Sequence, residues 1–243
     1  MLERDLTSRR NPAFSALGQH RGAHNVGVQL ILEILPFAAG VFASPLPVIV
    51  GIIMLFTPKP RPTSLIYVGT WMAGLTIVTV LLTLIAGFLE GTGSPPPWTM
   101  WLQIALGALL VVAALKTWLG RAEKANPKWL SALMQAGPRE AVRYGILLSA
   151  ANPKELLMAV AAAIVIGAAD PSTAQAGAAI LVFVLVGAAS VALPLLIFLL
   201  GGDRTLRRLE ESREWLERNN AAVASGVLAL IGVWLVLGGI GKL

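Results

Sequence analysis

The sequence contains no cysteine, few charged residues and two histidines, His20 and His24, which both lie in its polar first segment. The lack of cysteine excludes disulfides, thiol redox chemistry and thiolate-bound metal or iron–sulfur sites. Neither histidine lies in an apolar run, so no histidine-based metal cluster or catalytic triad is expected inside a membrane. A glycine-rich phosphate loop is also missing. We therefore predict that the protein is not an enzyme and uses no cofactor and no metal.

Hydrophobic residues dominate what is present. They form 56% of the 243 residues, charged residues form 13%, and the mean hydropathy is +0.74. A soluble domain carries about 25% charged residues. Several apolar runs exceed the ~20 residues with which a helix crosses ~30 Å of hydrocarbon. The composition therefore predicts an all-α polytopic membrane protein.

The apolar runs predict six transmembrane helices, at residues 28–57, 64–90, 98–119, 143–169, 174–201 and 219–241. Residues 1–27 are polar and basic, and we predict a disordered tail there. Residues 28–243 then form one transmembrane transporter domain.

The positive charges lie in alternate loops. Lysine and arginine number two in the first predicted loop, five in the third and five in the fifth, whereas the second and fourth loops hold none. Basic loops stay on the cytoplasmic side of a membrane, so the odd loops are predicted to be cytoplasmic, although the arginines of the tail favour the opposite orientation. The net charge of +6 follows from these short loops, and nucleic acid is not an expected partner.

Two breaks containing proline interrupt the first and fourth predicted helices. They consist of Ser44, Pro45, Leu46 and Pro47, and of Asn152, Pro153, Lys154 and Glu155. Proline lacks an N–H and clashes with the preceding turn, so a membrane helix tolerates it where other groups satisfy the freed carbonyls. Charged side chains at this depth cost several kcal/mol unless they face a partner or water. The breaks therefore predict a polar site.

Each half of the domain contains three predicted helices, and the first helix of each half is broken. Residues 28–119 form repeat one, 120–142 a basic loop, and 143–243 repeat two. Because three helices precede it, the second repeat is inserted with opposite polarity, as in transporters whose broken helices meet around the substrate. We predict this inverted-repeat arrangement. The alternative is that the prolines only kink two ordinary helices.

The second break has the chemistry of an anion site. Asn152 and Pro153 favour a helix start, whose free N–H groups attract an anion or a lipid phosphate, and Lys154 adds a positive charge. Glu155 points about 100° around the helix from Lys154, as a counter-ion or a protonatable group. We assign substrate binding to Ser44, Pro45, Pro47, Asn152, Pro153 and Lys154, and coupling to Glu155. The alternative for the charged residues is a structural ion pair.

Four runs of residues resemble the actinobacterial GAP/Sap family, the peptidoglycolipid- and sulfolipid-addressing proteins of the LysE superfamily. The runs are residues 44–50, 54–61, 71–75 and 148–157. The resemblance implies a six-helix inner-membrane (plasma-membrane) protein that helps to translocate envelope glycolipids. It also implies more distant relatives that export amino acids. Glu155 departs from the pattern, because an uncharged residue is expected after the lysine.

Three functions follow as hypotheses. The first is a glycolipid translocator or exporter, the second a proton-coupled exporter of a small solute such as an amino acid or cation, and the third a scaffold that docks lipid-synthesis enzymes. The expected partners are membrane lipids, with lipid-synthesis or lipid-export proteins and a second copy of the chain as further candidates.

Overall fold

The computed structural model describes residues 12–90, 98–120, 133–169 and 171–241, with most side chains from residue 27 onward. The regular elements in these ranges are helices, which confirms the all-helical class for the described chain. In chain order they are α1 (Pro12–Phe42), α2 (Pro45–Met54), α3 (Pro60–Glu90), α4 (Trp98–Leu119), α5 (Pro138–Ala150), α6 (Pro153–Ala168), α7 (Thr173–Gly201) and α8 (Leu206–Ile240).

α1 and α5 begin earlier than the sequence analysis predicts. α1 begins at Pro12, so helix replaces the predicted disordered tail over residues 12–26, while residues 1–11 lie outside the described chain. α5 begins at Pro138, inside the predicted basic loop 120–142, of which residues 121–132 also lie outside. Proline is well suited to the first position of a helix because its missing N–H has no intrahelical role there. Pro138 therefore starts α5, directly after Gly137 at the N-cap position.

Two helical stretches of the described chain, Pro60–Phe88 and Thr173–Ile240, are long and apolar enough to cross a membrane. The number rises to four if each pair of helices bent at a break counts as one span. Within α4, the apolar stretch Ile104–Leu119 is shorter than the ~20 residues of a full span. Among the described residues, length and composition alone thus give two to four candidate spans, fewer than the six predicted.

The stretch Thr173–Ile240 contains two helices. Its 68 residues would extend about 100 Å at 1.5 Å per residue, more than three times the thickness of the hydrocarbon layer. Gly202 ends α7 with a φ of 61°, a conformation that favours glycine, and a 3-10 turn over Gly202–Thr205 leads into α8. The first turns of α8 carry ion pairs such as that between Arg213 and Glu210 at 2.6 Å. This charged part of α8 differs from its apolar second half.

The buried core lies between the bent helix pairs and the two long apolar helices. α5 and α6 pack on α3, whereas α1 packs on α7 and α6. The largest side chains that this packing buries completely include Phe37, Tyr67, Trp71 and Phe183. The outer faces of α3 and α7 expose large apolar side chains, among them Leu81, Ile85, Leu185 and Leu196. An apolar outer surface of this kind is typical of helices that contact lipid.

α4 packs mainly on α8, and the two helices approach closely at a pair of glycines. A Cβ atom on Gly107 would lie 2.8 Å from the Gly232 carbonyl oxygen, and a Cβ on Gly232 would lie 2.8 Å from the Gly107 carbonyl oxygen. Gly239 contacts Ile104 further along, so the two helices run antiparallel. Small residues allow this close approach between membrane helices.

We expect Gly232→Ala to separate α4 from α8 and to lower the Tm of the purified protein in detergent by several degrees. Overpacking costs about 1–3 kcal/mol, and each kcal/mol shifts the Tm of a chain of this size by about 2–4 °C. Gly226→Ala on the same helix is the control, because no atom lies within 4 Å of the added Cβ. Equal Tm values for the two variants in a thermal-shift assay would contradict the proposed role of this contact.

Candidate functional site at the two helix breaks

The first break is a helix restart directed by proline. α1 ends at Phe42, and α2 begins at Pro45 after a bend of 53°. Ser44 holds the N-cap position in an extended conformation, but its hydroxyl makes no capping hydrogen bond, although the residue is only 3% exposed. The buried hydroxyl is therefore available to groups outside α2.

The second proline of this break leaves a carbonyl without its helical donor. In a continuous helix the Ala43 carbonyl would accept from the N–H of residue 47, but Pro47 has no N–H. The side chain of Lys154 replaces that donor, since its Nζ donates to the Ala43 carbonyl at 3.1 Å. The carbonyl of Pro47 in turn accepts from the Tyr67 hydroxyl at 2.8 Å. Side chains from α6 and α3 thus stabilise the first break.

The second break is a similar restart with a complete N-cap. α5 ends at Ala150, and α6 begins at Pro153 after a bend that is also 53°. The Oδ1 atom of Asn152 accepts from the Lys154 backbone N–H at 3.1 Å. Because Pro153 has no N–H and that of Lys154 is already bonded, fewer amides are free for an anion than the sequence analysis assumed. The formal charge of Lys154 is therefore the larger attraction, since a helix terminus carries only about half a charge.

The contact between Lys154 and Ala43 joins the two breaks, which lie more than one hundred residues apart in the sequence. Glu155 is fully buried beside this contact and interacts electrostatically with Lys154 and with Tyr67. The Ser44 hydroxyl lies close enough to act on the Glu155 carboxyl, but neither carboxyl oxygen meets hydrogen-bond geometry with another described group. The two breaks therefore form one polar site.

The ion pairs of the described side chains all lie in α8. Lys154 and Glu155 therefore do not form a direct ion pair within 4.0 Å. Lys154 is instead bonded to a carbonyl, and Glu155 is left with unpartnered oxygens. A buried charge without a bonded partner strongly destabilises a fold. The arrangement is therefore poorly explained by a structural ion pair between these two residues.

A family model described as Sap, sulfolipid-1-addressing protein, matches residues 34–241 of the chain. The chain belongs to this family. The match includes both breaks and every helix from α2 to α8. It confirms the family that the residues around the breaks indicated. No curated protein and no solved structure matches the chain.

In this Sap-family chain, the structure brings some of the predicted site residues together and leaves others apart. Ser44, Lys154 and Glu155 come together, and Asn152 is half-buried and positions Lys154 through the cap. Pro45 begins α2, and Pro47 contributes its carbonyl to Tyr67. Pro153 begins α6 but is exposed, so the structure does not bring it into the buried part of the site.

Sequence reasoning missed Tyr67. This residue lies on α3, distant from both breaks in sequence, yet its hydroxyl contacts the first break and its ring lies among fully buried residues. The sequence nevertheless indicates this residue. One face of the otherwise apolar α3 carries polar and aromatic residues at helical spacing, namely Thr63, Ser64, Tyr67 and Trp71. That pattern identifies the face of α3 that turns inward.

Replacing Asn152 with alanine removes the cap of α6, and we expect a loss of about 1 kcal/mol of stability, within a usual range of about 0.5–2 kcal/mol. Asn152→Ser retains a capping oxygen and is expected to preserve most of the stability. Thermal-shift measurements on the two variants in the same detergent test this. Similar losses in both variants would mean that the cap does not stabilise the second break.

Proposed function

We propose that this Sap-family chain translocates or exports a cell-envelope glycolipid across the plasma membrane. The family description, which names the addressing of a sulfolipid, supports a lipid substrate. The observation that carries the proposal is the contact of Lys154 with the Ala43 carbonyl at 3.1 Å. This contact places a cation where the two breaks meet. An anionic or sugar headgroup binds there, while the acyl chains stay in the bilayer.

Lys154 has the capacity to bind a headgroup as well as the first break. An ammonium group has three N–H donors, and the Ala43 carbonyl occupies one of them. Lys154 is partly exposed, and the N-terminus of α6 contributes positive potential at the same place. Sulfate and phosphate oxygens are suitable acceptors for the remaining donors. Ser44 lies beside them and provides a hydroxyl for the sugar.

The proposal includes six membrane spans in two inverted repeats. The two bent pairs, α3, α4, α7 and the apolar half of α8 are the six spans. Corresponding contacts in the two halves support this arrangement: Gly74 lies 14 residues after the start of α3, and Gly187 lies 14 residues after the start of α7.

The partners of these two glycines also correspond. The added Cβ of Gly74 would meet Ser149, which precedes Asn152 by three residues, and that of Gly187 would meet Val41, which precedes Ser44 by three residues. Each long helix thus receives the broken helix of the other half at an equivalent position. A repeat with internal two-fold symmetry explains this correspondence.

In the proposed orientation the loops before α3, before α5 and before α8 face the cytoplasm. These loops, with the adjoining parts of the helices that follow them, carry most basic residues of the domain, such as Lys59 and Arg61 at the start of α3. Lysine and arginine favour the cytoplasmic side. The start of α3 then lies at the cytoplasmic surface of the membrane.

A second candidate function is proton-coupled export of a small solute, with Glu155 as the coupling group. The buried carboxyl with two unpartnered oxygens favours this function, because ionisable residues inside membrane proteins often carry protons. The two candidates share one site and differ in the substrate.

We expect Lys154→Ala to lower the amount of the transported glycolipid in the outer envelope about tenfold or more in a complemented deletion strain. Hydrogen bonds to charged groups contribute about 1.5–3 kcal/mol, and 1.4 kcal/mol corresponds to a factor of ten. Comparative lipidomics of inner and outer envelope fractions measures the effect. Lys154→Arg keeps the charge and is expected to restore part of the transport. Lys59→Ala, an exposed basic residue, is the matched control and is expected to transport normally.

An unchanged envelope lipid profile in the deletion strain would contradict lipid translocation. The second candidate then predicts counterflow of a radiolabelled amino acid in proteoliposomes that is lost in Glu155→Gln. A normal lipid profile with Lys154→Ala, together with defects on exchange of the basic loops, would instead favour a scaffold.

A further inference from the structure

The inward face of α3 carries a row of buried polar and aromatic residues, which we call the α3 polar stripe: Thr63, Ser64, Tyr67 and Trp71. At 100° per residue these positions fall within about one quarter of the helix circumference. All four residues are at most 1% exposed. The stripe faces the broken helices, because Tyr67 contacts Gly51 of α2, and Gly145 of α5 approaches the backbone of Tyr67 and Trp71.

Three polar atoms of the α3 polar stripe have no hydrogen-bond partner among the described residues: Thr63 Oγ1, Ser64 Oγ and Trp71 Nε1. Other threonines of the same helix behave differently. Thr76, Thr79 and Thr83 each donate to the carbonyl four residues earlier at 2.8 Å. Pro60 lies four residues before Ser64, yet the Ser64 hydroxyl does not donate to the Pro60 carbonyl. The stripe is therefore distinguished from the rest of α3 by polar groups that remain unbonded within the protein.

Glu155 extends this set of unbonded groups across to α6. It interacts electrostatically with Tyr67, and neither carboxyl oxygen meets hydrogen-bond geometry with a described group, although the Ser44 hydroxyl lies close enough to act on the carboxyl. The three atoms of the stripe thus lack a partner among the described residues, and the carboxyl can accept further hydrogen bonds beyond that from Ser44. Buried polar groups are almost always hydrogen-bonded, and each exception requires an explanation.

Water is the partner that fits these groups best. The hydroxyls of Thr63 and Ser64 both donate and accept, the Trp71 indole only donates, and a carboxylate only accepts. A buried water molecule typically makes about three hydrogen bonds and can serve all of these groups. A sugar or an anionic headgroup is too large for the stripe atoms, which are fully enclosed.

The stripe leads from Glu155 to a surface end of α3. Tyr67 lies seven residues, or about 10 Å, from the start of α3 at Pro60, and Ser64 and Thr63 lie between them. Lys59 and Arg61 are exposed at this end. Along α3, the two hydroxyls thus lie between Tyr67, which interacts with Glu155, and the exposed end of the helix.

We propose that internal water molecules occupy the α3 polar stripe and carry protons between Glu155 and the membrane surface at the Pro60 end of α3. A proton from bulk water passes along the hydrogen-bonded water molecules to the Glu155 carboxylate and forms the neutral acid, and the reverse transfer returns it. No other reactant is needed. The proposal deepens the coupling role of Glu155 given above and names the path that such a role requires.

Few other charged groups face Glu155. Lys154 and Tyr67 are its titratable neighbours, and the sequences of α2 and α7 contain no charged residue. Glu33 of α1 is exposed, as are Arg139, Glu140 and Arg143 of α5. A proton that moves along the α3 polar stripe is therefore exchanged between Glu155 and water. Lys154 is the charged residue that acts on Glu155.

Radiolytic hydroxyl labelling of the full-length protein in nanodiscs, followed by mass spectrometry, tests whether the stripe contains water. Radicals formed from internal water oxidise adjacent side chains even when these have no solvent exposure. We expect labelling of Tyr67 and Trp71 to exceed that of Phe37 and Phe183 about tenfold after correction for intrinsic reactivity. The two phenylalanines are the matched controls, because they are equally buried among apolar residues.

Labelling of Tyr67 and Trp71 at the level of the two phenylalanines would overturn the proposal. This experiment needs no transported substrate, so its failure is distinguishable from failure of the proposed lipid translocation, which is measured by lipidomics.

Time-resolved infrared spectroscopy after a pH jump tests the proton path. The carboxyl band that disappears in Glu155→Gln reports protonation of Glu155. We expect the double variant Thr63→Val and Ser64→Ala to slow the protonation of Glu155 about tenfold or more. Thr79→Val, a buried threonine of α3 bonded to the Leu75 carbonyl, is expected to leave the rate unchanged. An unchanged rate in the double variant, or a Glu155 band that does not respond to pH, would overturn proton conduction. If the double variant does not fold, the labelling of the unmodified protein still decides whether water is present.

Discussion

The structure depends on the constraint that a proline cannot donate a backbone hydrogen bond. Pro47 removes the donor that would otherwise bond the Ala43 carbonyl, and inside an apolar protein this carbonyl must find another. Lys154 provides it at 3.1 Å. The defect in one helix is thus repaired by a charged side chain from the other broken helix. This contact joins the two breaks, and it places a positive charge in the protein interior.

The rest of the molecule encloses this polar site. α3 contributes Tyr67 to the first break and receives the second broken pair at Gly145, where a side chain would collide with the Tyr67 carbonyl. α4 and α8 pack against each other at Gly107 and Gly232. Apolar side chains occupy the outer faces of α3 and α7. Polar groups are thereby concentrated on the inside, which is the arrangement expected where a polar headgroup or an ion passes through an apolar layer.

Local features of the site could be predicted from the sequence, because they depend on neighbouring residues. The positions of both breaks, the start of α6 at Pro153 and the role of Asn152 as a cap follow from proline and asparagine chemistry. The partner of Lys154 could not be predicted, since it depends on how α1 packs against α6. Tyr67 was missed for the same reason, although the spacing of the α3 polar stripe marked that face. The N-terminal extension of α1 does not follow from composition, because a polar and basic segment predicts disorder, whereas Pro12 and the residues after it are compatible with helix.

Cross-linking between α1 and α6 beside the two breaks, in native membranes, tests most directly whether the breaks meet. The chain contains no cysteine, so Gly40→Cys and Met158→Cys, which leave Lys154 in place, can be introduced together and treated with a short bis-methanethiosulfonate reagent. A Cβ atom on Gly40 would lie 2.5 Å from Met158 Sδ. A pair of Gly40→Cys with Leu147→Cys, whose native side chain is exposed on α5, is the control. We expect an efficient intramolecular cross-link in the first pair and little in the second. Absence of the cross-link in the first pair, when each single cysteine reacts with a monofunctional reagent, would contradict the meeting of the two breaks.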